Sequence, residues 1–293
     1  MRDSTRDAAL TSTRATSATS NRRRPKYLTH IALIVLCFIV GFPMVLTIIK
    51  STQNVGQVNA VPPNLLPGSL LFENYSAALN SSNLVRLMGN TILVAIFVTL
   101  GKTATSLLAA TAFVYFRFPL RGFLFIFVVL TLMMPTDILV VALYRLMGDL
   151  KWTNQLQALI APFLASATGT LLFRQHFMNI PTELADAAQI DGANPVRYLW
   201  SVLIPLSWNV IGALAMIQFI GVWNQYLWPL LIMNDNNKQL VQVALKGITS
   251  NALELGNWGV ALAAAVIASI PPLIVFLTLQ ESFLRSYALT RDK

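Results

Sequence analysis

Residues 28–49 read LTHIALIVLCFIVGFPMVLTII, 22 positions without a full charge, with Lys26 close before them and Lys50 directly after. A helix rises about 1.5 Å per residue and the hydrocarbon core of a bilayer is about 30 Å thick, so roughly 20 apolar residues cross it. Five more stretches of this kind follow, at 91–116, 123–144, 156–173, 208–232 and 258–279. The fifth lies within a longer apolar tract that begins at Leu199. Pro205 and the polar run Ser207-Trp208-Asn209 interrupt that tract, so the part before Pro205 reads as a separate surface helix. The fold class is therefore an all-α integral membrane protein with about six transmembrane helices. Composition agrees, because only 11% of the residues are charged, against about a quarter in soluble domains. Such a chain cannot cover a water-facing surface with polar groups.

The net charge of +9 invites a nucleic-acid reading, but seven of the 21 lysines and arginines fall in the first 26 residues. That stretch is rich in Ser, Thr and Arg and ends in Arg22-Arg23-Arg24-Pro25-Lys26, which fits a disordered tail beside anionic lipid better than a recognition face. A cleaved signal peptide is the competing reading. It would have a shorter apolar core and a small-residue cleavage site, and Lys50-Ser51-Thr52 is not one. The expected organisation is a basic cytoplasmic tail (1–26), a transmembrane domain (27–285) and a cytoplasmic C-terminal tail (286–293). Six crossings put both ends on one face. That face collects 14 basic residues, namely the seven of the tail with Arg117, Arg121, Arg174, Arg197, Arg285, Arg291 and Lys293. The other face collects six: Lys50, Arg86, Arg145, Lys151, Lys238 and Lys246. The positive-inside rule puts both termini in the cytoplasm and the loops 50–90, 145–155 and 234–257 outside. In the first of these loops, a stretch through Phe72, Tyr75 and Leu79 is suited to lying on the membrane.

One cytoplasmic loop, at about 179–205, carries more than connection. Pro181-Thr182-Glu183-Leu184-Ala185-Asp186-Ala187-Ala188-Gln189-Ile190-Asp191-Gly192-Ala193-Asn194-Pro195 spells helix, turn, helix. Thr182 is placed to cap the first helix, and Glu183 suits its positive end. Gly192 takes the left-handed conformation that stops a helix, and Asn194-Pro195 opens the next. In that second helix Val196, Leu199, Trp200 and Leu203 recur at i, i+3, i+4 and i+7, one apolar face. The first helix has Leu184, Ala187 and Ala188 on one side, Glu183 and Asp186 on another. So short an element, with small alanines, can enter a groove on a partner while its acids meet basic groups.

The run Asp186-Ala187-Ala188-Gln189-Ile190-Asp191-Gly192-Ala193, followed by Val202-Leu203-Ile204-Pro205, resembles the EAA loop of ABC importer permeases. The likeness extends over residues 27–285 and is nearest to the carbohydrate-uptake branch. It is carried by Tyr115-Phe116-Arg117-Phe118-Pro119-Leu120-Arg121, Leu132-Met133-Met134-Pro135, Ala165-Ser166-Ala167-Thr168, Phe173-Arg174-Gln175 and 223–231. The resemblance implies a coupling helix docking on a cytoplasmic ATPase through Glu183, Asp186, Ala187, Ala188, Asp191 and Gly192. It also implies a second, related permease, two ATPase copies, an extracytoplasmic solute-binding protein and a place in the bacterial plasma membrane. The implied solute is sugar-like, glycerol-3-phosphate or a glycerophosphodiester. Two positions depart from the family's pattern: Asp186 stands where Glu is usual and reaches one methylene less, and Ile204 stands where Leu is usual.

Lys102 and Asp137 are the full charges inside the expected spans, and such charges are costly enough to require a reason. From the outer ends of their spans they lie about 16 Å and 11 Å deep at 1.5 Å per residue. An interhelical ion pair and a polar lining of the translocation path both fit. Trp223, Asn224, Gln225, Tyr226 and Trp228 end the fifth span. They read either as an aromatic belt or, for Asn224, Gln225 and Tyr226, as part of the solute path, since sugars are held by amides and aromatic faces. His30 and His176 have no companions at metal-ligand spacing, and Cys37 is the only cysteine. No Walker glycine loop and no nucleophile set occurs, so ATP and Mg are expected on the partner ATPase and no catalytic site, metal or cofactor on this chain. A secondary transporter driven by an ion gradient is the alternative. It would show broken helices, paired intramembrane carboxylates and usually internal repeats, where this sequence has one acid and no repeat. An intramembrane enzyme would need a nucleophile or metal set facing a cavity.

Overall fold

The computed structural model of the chain describes residues 26–288 except Pro135, and within them not the side chains of Lys26, Ser82, Thr136, Asp137 and 285–288. Apart from the backbone of Lys26, the N-terminal tail and the choice between cleaved and uncleaved readings lie outside the described residues. So does most of the expected C-terminal tail at 286–293. Every regular element described is helical. The chain divides into two units, one ending at Leu46 and one starting at Thr47.

The described part of the first unit is a single helix, α1 (Lys26–Lys50), whose last turn belongs to the second unit. Its apolar window has no buried residue. A helix apolar on all sides and uncovered is what hydrocarbon tolerates.

In the second unit α2 (Leu71–Asn80) precedes α3 (Leu84–Tyr115), a span of 32 residues. At 1.5 Å per residue α3 measures about 48 Å, so it extends well beyond a 30 Å core. Next come α4 (Arg121–Thr131), α5 (Thr136–Asp149), α6 (Ala167–Phe177) and α7 (Thr182–Ile190). Then follow α8 (Pro195–Leu206), α9 (Trp208–Trp223), α10 (Leu227–Ile232), α11 (Val241–Leu255) and α12 (Trp258–Ala288). α9 packs against both α3 and α12, and α6 against α3. A Cβ on Gly101 of α3 would meet the Leu164 side chain, and one on Gly169 of α6 would meet Ser106, so glycine is what lets α3 and the α6 segment approach.

Three of the six expected spans are continuous helices long and apolar enough to cross a bilayer: α1, α3 and α12. The other three are broken, a correction with local causes. The stretch 123–144 stops at Thr131 and turns through 132–134 just before Pro135, a residue that disfavours helix in what precedes it. The stretch 156–173 is a helical turn at Gln157–Ile160, a 3₁₀ turn at Ala161–Phe163 containing Pro162, and then α6, capped by Ser166. The stretch 208–232 is split by Asn224-Gln225-Tyr226 into α9 and α10. The separate helix expected before Pro205 is present: α8 bends from α9 by 79°.

Two further expectations change. The loop 234–257 is mostly α11, with Val241, Ala244, Ile248 and Ala252 buried at helical spacing, ended by Gly256 at φ 70°. Trp223 and Trp228 are not belt residues. Both are buried, and their indole N–H groups donate to the carbonyls of Ala268 (3.2 Å) and Ala158 (3.0 Å). On α2, Phe72 is exposed as expected, while the Tyr75 hydroxyl lies 3.1 Å from Ser51 Oγ and Asn74 donates to the carbonyls of Ser51 and Gln53.

Among the described residues the core has two parts. One gathers Leu84, Val94, Val98, Trp223, Trp228 and Ile232 with alanines of α12. The other, under α7 and α8, gathers Leu107, Phe173, Phe177, Tyr198, Leu203 and Leu214.

Candidate coupling surface and translocation path

α7 is a nine-residue helix whose N-cap position is Pro181, not Thr182, and no side chain caps it. Thr182 is already helical, so its hydroxyl is one residue too far along to serve as the cap. Glu183 sits in the first turn, as expected. The stop is a two-bond C-cap: Gly192 N–H donates to Gln189 O (3.0 Å) and Ala193 N–H to Ala188 O (2.9 Å), with Gly192 at φ 72°. Asn194 Oδ1 then accepts from Arg197 N–H at 2.7 Å, and Pro195 opens α8.

The apolar face expected on α8 is rotated. Leu199 and Leu203 are 6% and 0% exposed, but Val196 and Trp200 are 63% and 66% exposed. Leu199–Leu203 is a π-helical turn, whose wider winding breaks the 3.6-residue register and turns Tyr198 inward with Leu199.

The six expected coupling residues divide in the same way. Glu183, Asp186, Ala187, Asp191 and Gly192 are exposed, together with Leu184 and Ile190. Ala188, with Ala185, is turned toward the chain's own bundle and packs on its inner core. Between these alanines and the bundle lies a cavity of about 200 Å³ lined by Thr111, Tyr115, Gln189, Pro195 and Tyr198. The Tyr115 and Tyr198 rings meet edge-on with centroids 5.3 Å apart. Nearby, the Arg174 guanidinium stacks on Phe125 of α4 at 4.1 Å. α7 therefore rests on two methyl groups above an aromatic floor, with its acids pointing away.

Within the bilayer depth, Lys102 lies past the middle of α3. Its Nζ donates to Gln218 Oε1 of α9 at 3.0 Å, and Gln218 Nε2 donates to Ser166 Oγ at 3.0 Å. Ser166 Oγ also accepts from Gly169 N–H at 3.1 Å, capping α6. Three spans thus meet at one polar chain. The Asp137 side chain, the other half of the expected ion pair, lies outside the described residues. Gln218 and Ser166 are absent from the sequence candidates; a lone amide in the run from Ile211 to Trp223 was the available signal. Asn224, Gln225 and Tyr226 form the break after α9, with Asn224 Oδ1 accepting from Gln242 Nε2 at 3.4 Å. Asn224 lies six residues beyond Gln218, about 9 Å along the helix.

The family model described as binding-protein-dependent transport system inner membrane component matches residues 102–288. The sn-glycerol-3-phosphate transport system permease protein UgpE of Salmonella typhi is 37% identical over 271 residues, covering 90% of this chain and 96% of that protein. Its counterpart in Escherichia coli O1:K1 / APEC is 37% identical over 262 residues, covering 87% and 93%. Among solved structures, a chain of a bacterial ABC transporter that imports the acidic polysaccharide alginate superposes with a TM-score of 0.75 at 24% identity. It covers 88% of this chain and 95% of that one. A chain of the alginate transporter in complex with its pentasaccharide-bound periplasmic protein gives 0.63 at 15% identity, covering 87% and 93%.

Proposed function

The chain belongs to the binding-protein-dependent transport system inner membrane components, and on that premise we propose that it forms half of the translocation path of an ATP-driven importer, coupled through α7 to a cytoplasmic ATPase. The observation that carries the coupling role is the exposed acidic face of α7, with Glu183, Asp186 and Asp191 pointing away from the bundle. Exposed Leu184 and Ile190 beside them supply the apolar contact that a docking helix needs. The ATPase binds ATP and Mg; this chain contributes no catalytic group and binds no cofactor. A second permease completes the path, and a solute-binding protein delivers to the opposite face. The alginate transporter solved with its periplasmic protein supports that partnership.

The solute is glycerol-3-phosphate or a glycerophosphodiester, a reading supported by relatives named for sn-glycerol-3-phosphate transport that match almost end to end. Lys102, Asp137, Asn224, Gln225 and Tyr226 are the path candidates. Both termini face the cytoplasm by the distribution of basic residues. Affinity purification of the chain from membranes tests the assembly. An ATPase subunit and a second permease co-elute if the reading is right; the chain eluting alone, in a strain that makes both, contradicts it.

A further inference from the structure

Lys102 is the 19th residue of the 32 in α3, about 27 Å from one end of that helix and 20 Å from the other. Within its own chain it is neither fully buried nor exposed. No carboxylate among the described residues pairs with it, and its hydrogen-bond partner is the neutral amide of Gln218. That amide is held in one orientation. Its NH₂ is engaged by Ser166 Oγ, so its oxygen faces the ammonium. An ammonium has three donors, and Gln218 takes one.

The uncovered side of Lys102 does not look like a lipid face. The exposed large residues of α3 within the membrane, Leu93, Ile96, Phe97, Leu100 and Leu108, form one stripe. At about 100° per residue Lys102 points roughly opposite to Leu100. The exposed residues next along α3 and beside Ser166 are small or polar: Thr105 on α3, Ala165 just before the Ser166 cap, and Thr168 in the first turn of α6. The positive end of α6 also opens here, capped by Ser166. Intramembrane charges face a bundle interior or a water-filled cavity, and a fixed cation with free donors at such a place suits a passing anion.

We propose that Lys102 is the anion-binding step of the translocation path, receiving the phosphate of a phosphate-ester solute, and that Gln218 is the positioning residue that holds its ammonium ready without neutralising it. The inference rests on the phosphate-ester reading above. A glutamine does what a glutamate there would not: it accepts the same hydrogen bond but leaves the positive charge available. A phosphomonoester, with its second negative charge, gains more from this cation than a phosphodiester does.

The test uses the full complex of this chain with its second permease, ATPase and binding protein in proteoliposomes. The probes are glycerol-3-phosphate as monoester and glycerophosphocholine as diester. Gln218→Glu keeps the hydrogen bond and neutralises Lys102. It is expected to lower monoester uptake about tenfold or more, as does Lys102→Met, with a smaller loss for the diester and normal complex yield. Lys102→Arg retains uptake. A merely structural hydrogen bond predicts the opposite for Gln218→Glu, so uptake at the wild-type rate overturns the proposal. Recovery of uptake in Lys102→Met combined with Asp137→Leu also overturns it, because Lys102 would then serve only to pair with Asp137. A wild-type complex that carries neutral sugars but no phosphate ester sinks the solute reading and this inference together. Normal phosphate-ester transport by Gln218→Glu sinks the inference alone. Should the charge variants fail to assemble, Thr105→Cys in a Cys37→Ser background keeps both Lys102 and Gln218 and reports on the charge beside them. An anionic thiosulfonate must label it faster than a cationic one and be slowed by glycerol-3-phosphate; equal rates refute the site.

Discussion

Asp186 projects from α7 with no hydrogen-bond or ion-pair partner among the described residues, and its neighbour Ala187 is exposed beside it. Truncating one member of a desolvated charge pair between proteins typically costs about 2–5 kcal/mol, enough to weaken docking more than tenfold. Asp186→Arg is therefore expected to leave the chain in the membrane but abolish uptake, through loss of the ATPase or of coupling to it. Asp186→Glu is expected to be tolerated, since it lengthens the same acid by one methylene. Normal uptake and normal assembly by Asp186→Arg contradict the assignment. At Gly169 the prediction concerns packing. A Cβ there would meet the Ser106 side chain and approach Leu214 Cδ2 to 3.1 Å. Gly169→Ala is expected to destabilise the bundle by about 1–3 kcal/mol as overpacking does, read as a lower melting temperature in detergent. An unchanged melting temperature removes the close approach of α3 and α6 from the account.

Among the elements, α7 shows what sequence pattern can and cannot deliver. Its stop was legible because Gly192 and the Asn194-Pro195 pair have few other uses. Its facing was not: Ala187 and Ala188 are alike in chemistry and adjacent, and only packing against Tyr115 and Tyr198 decides that Ala188 turns inward. With Cys37→Ser as background, Ala187→Cys is expected to react readily with a water-soluble maleimide in the chain alone and slowly once the ATPase is bound. Ala188→Cys is expected to react slowly in both. The reverse order would mean that the helix is turned the other way. The same logic separates the spans. Apolar run length picked out α1, α3 and α12, because the bilayer sets that length. It did not reveal that the other three stretches are broken, since a cap such as Ser166 and a gap such as Asn224-Gln225-Tyr226 barely lower mean apolarity. α11 was missed because its loop was defined by what flanked it, although Val241, Ala244, Ile248 and Ala252 already recur at helical spacing. Gln218 was passed over because a single amide in an apolar run has no periodicity to betray it.

For the whole molecule, the basic residues and the coupling role proposed for α7 must agree on which side is cytoplasmic. A reporter active only in the cytoplasm is expected to work when fused at either terminus and to fail when inserted at Asn236, an exposed turn before α11. Cytoplasmic activity at Asn236 would invert the topology and put α7 on the wrong side for an ATPase. On the proposed reading the importer draws its energy from a partner rather than from an ion gradient, which separates it from a secondary transporter. The most direct measurement is uptake of labelled glycerol-3-phosphate into proteoliposomes containing the full complex, with and without ATP on the ATPase side and with the binding protein outside. The account predicts accumulation that requires ATP, the ATPase and the binding protein, persists when ionophores collapse all ion gradients, and disappears with Asp186→Arg. Uptake by this chain without the ATPase, driven by an imposed ion gradient, would contradict it.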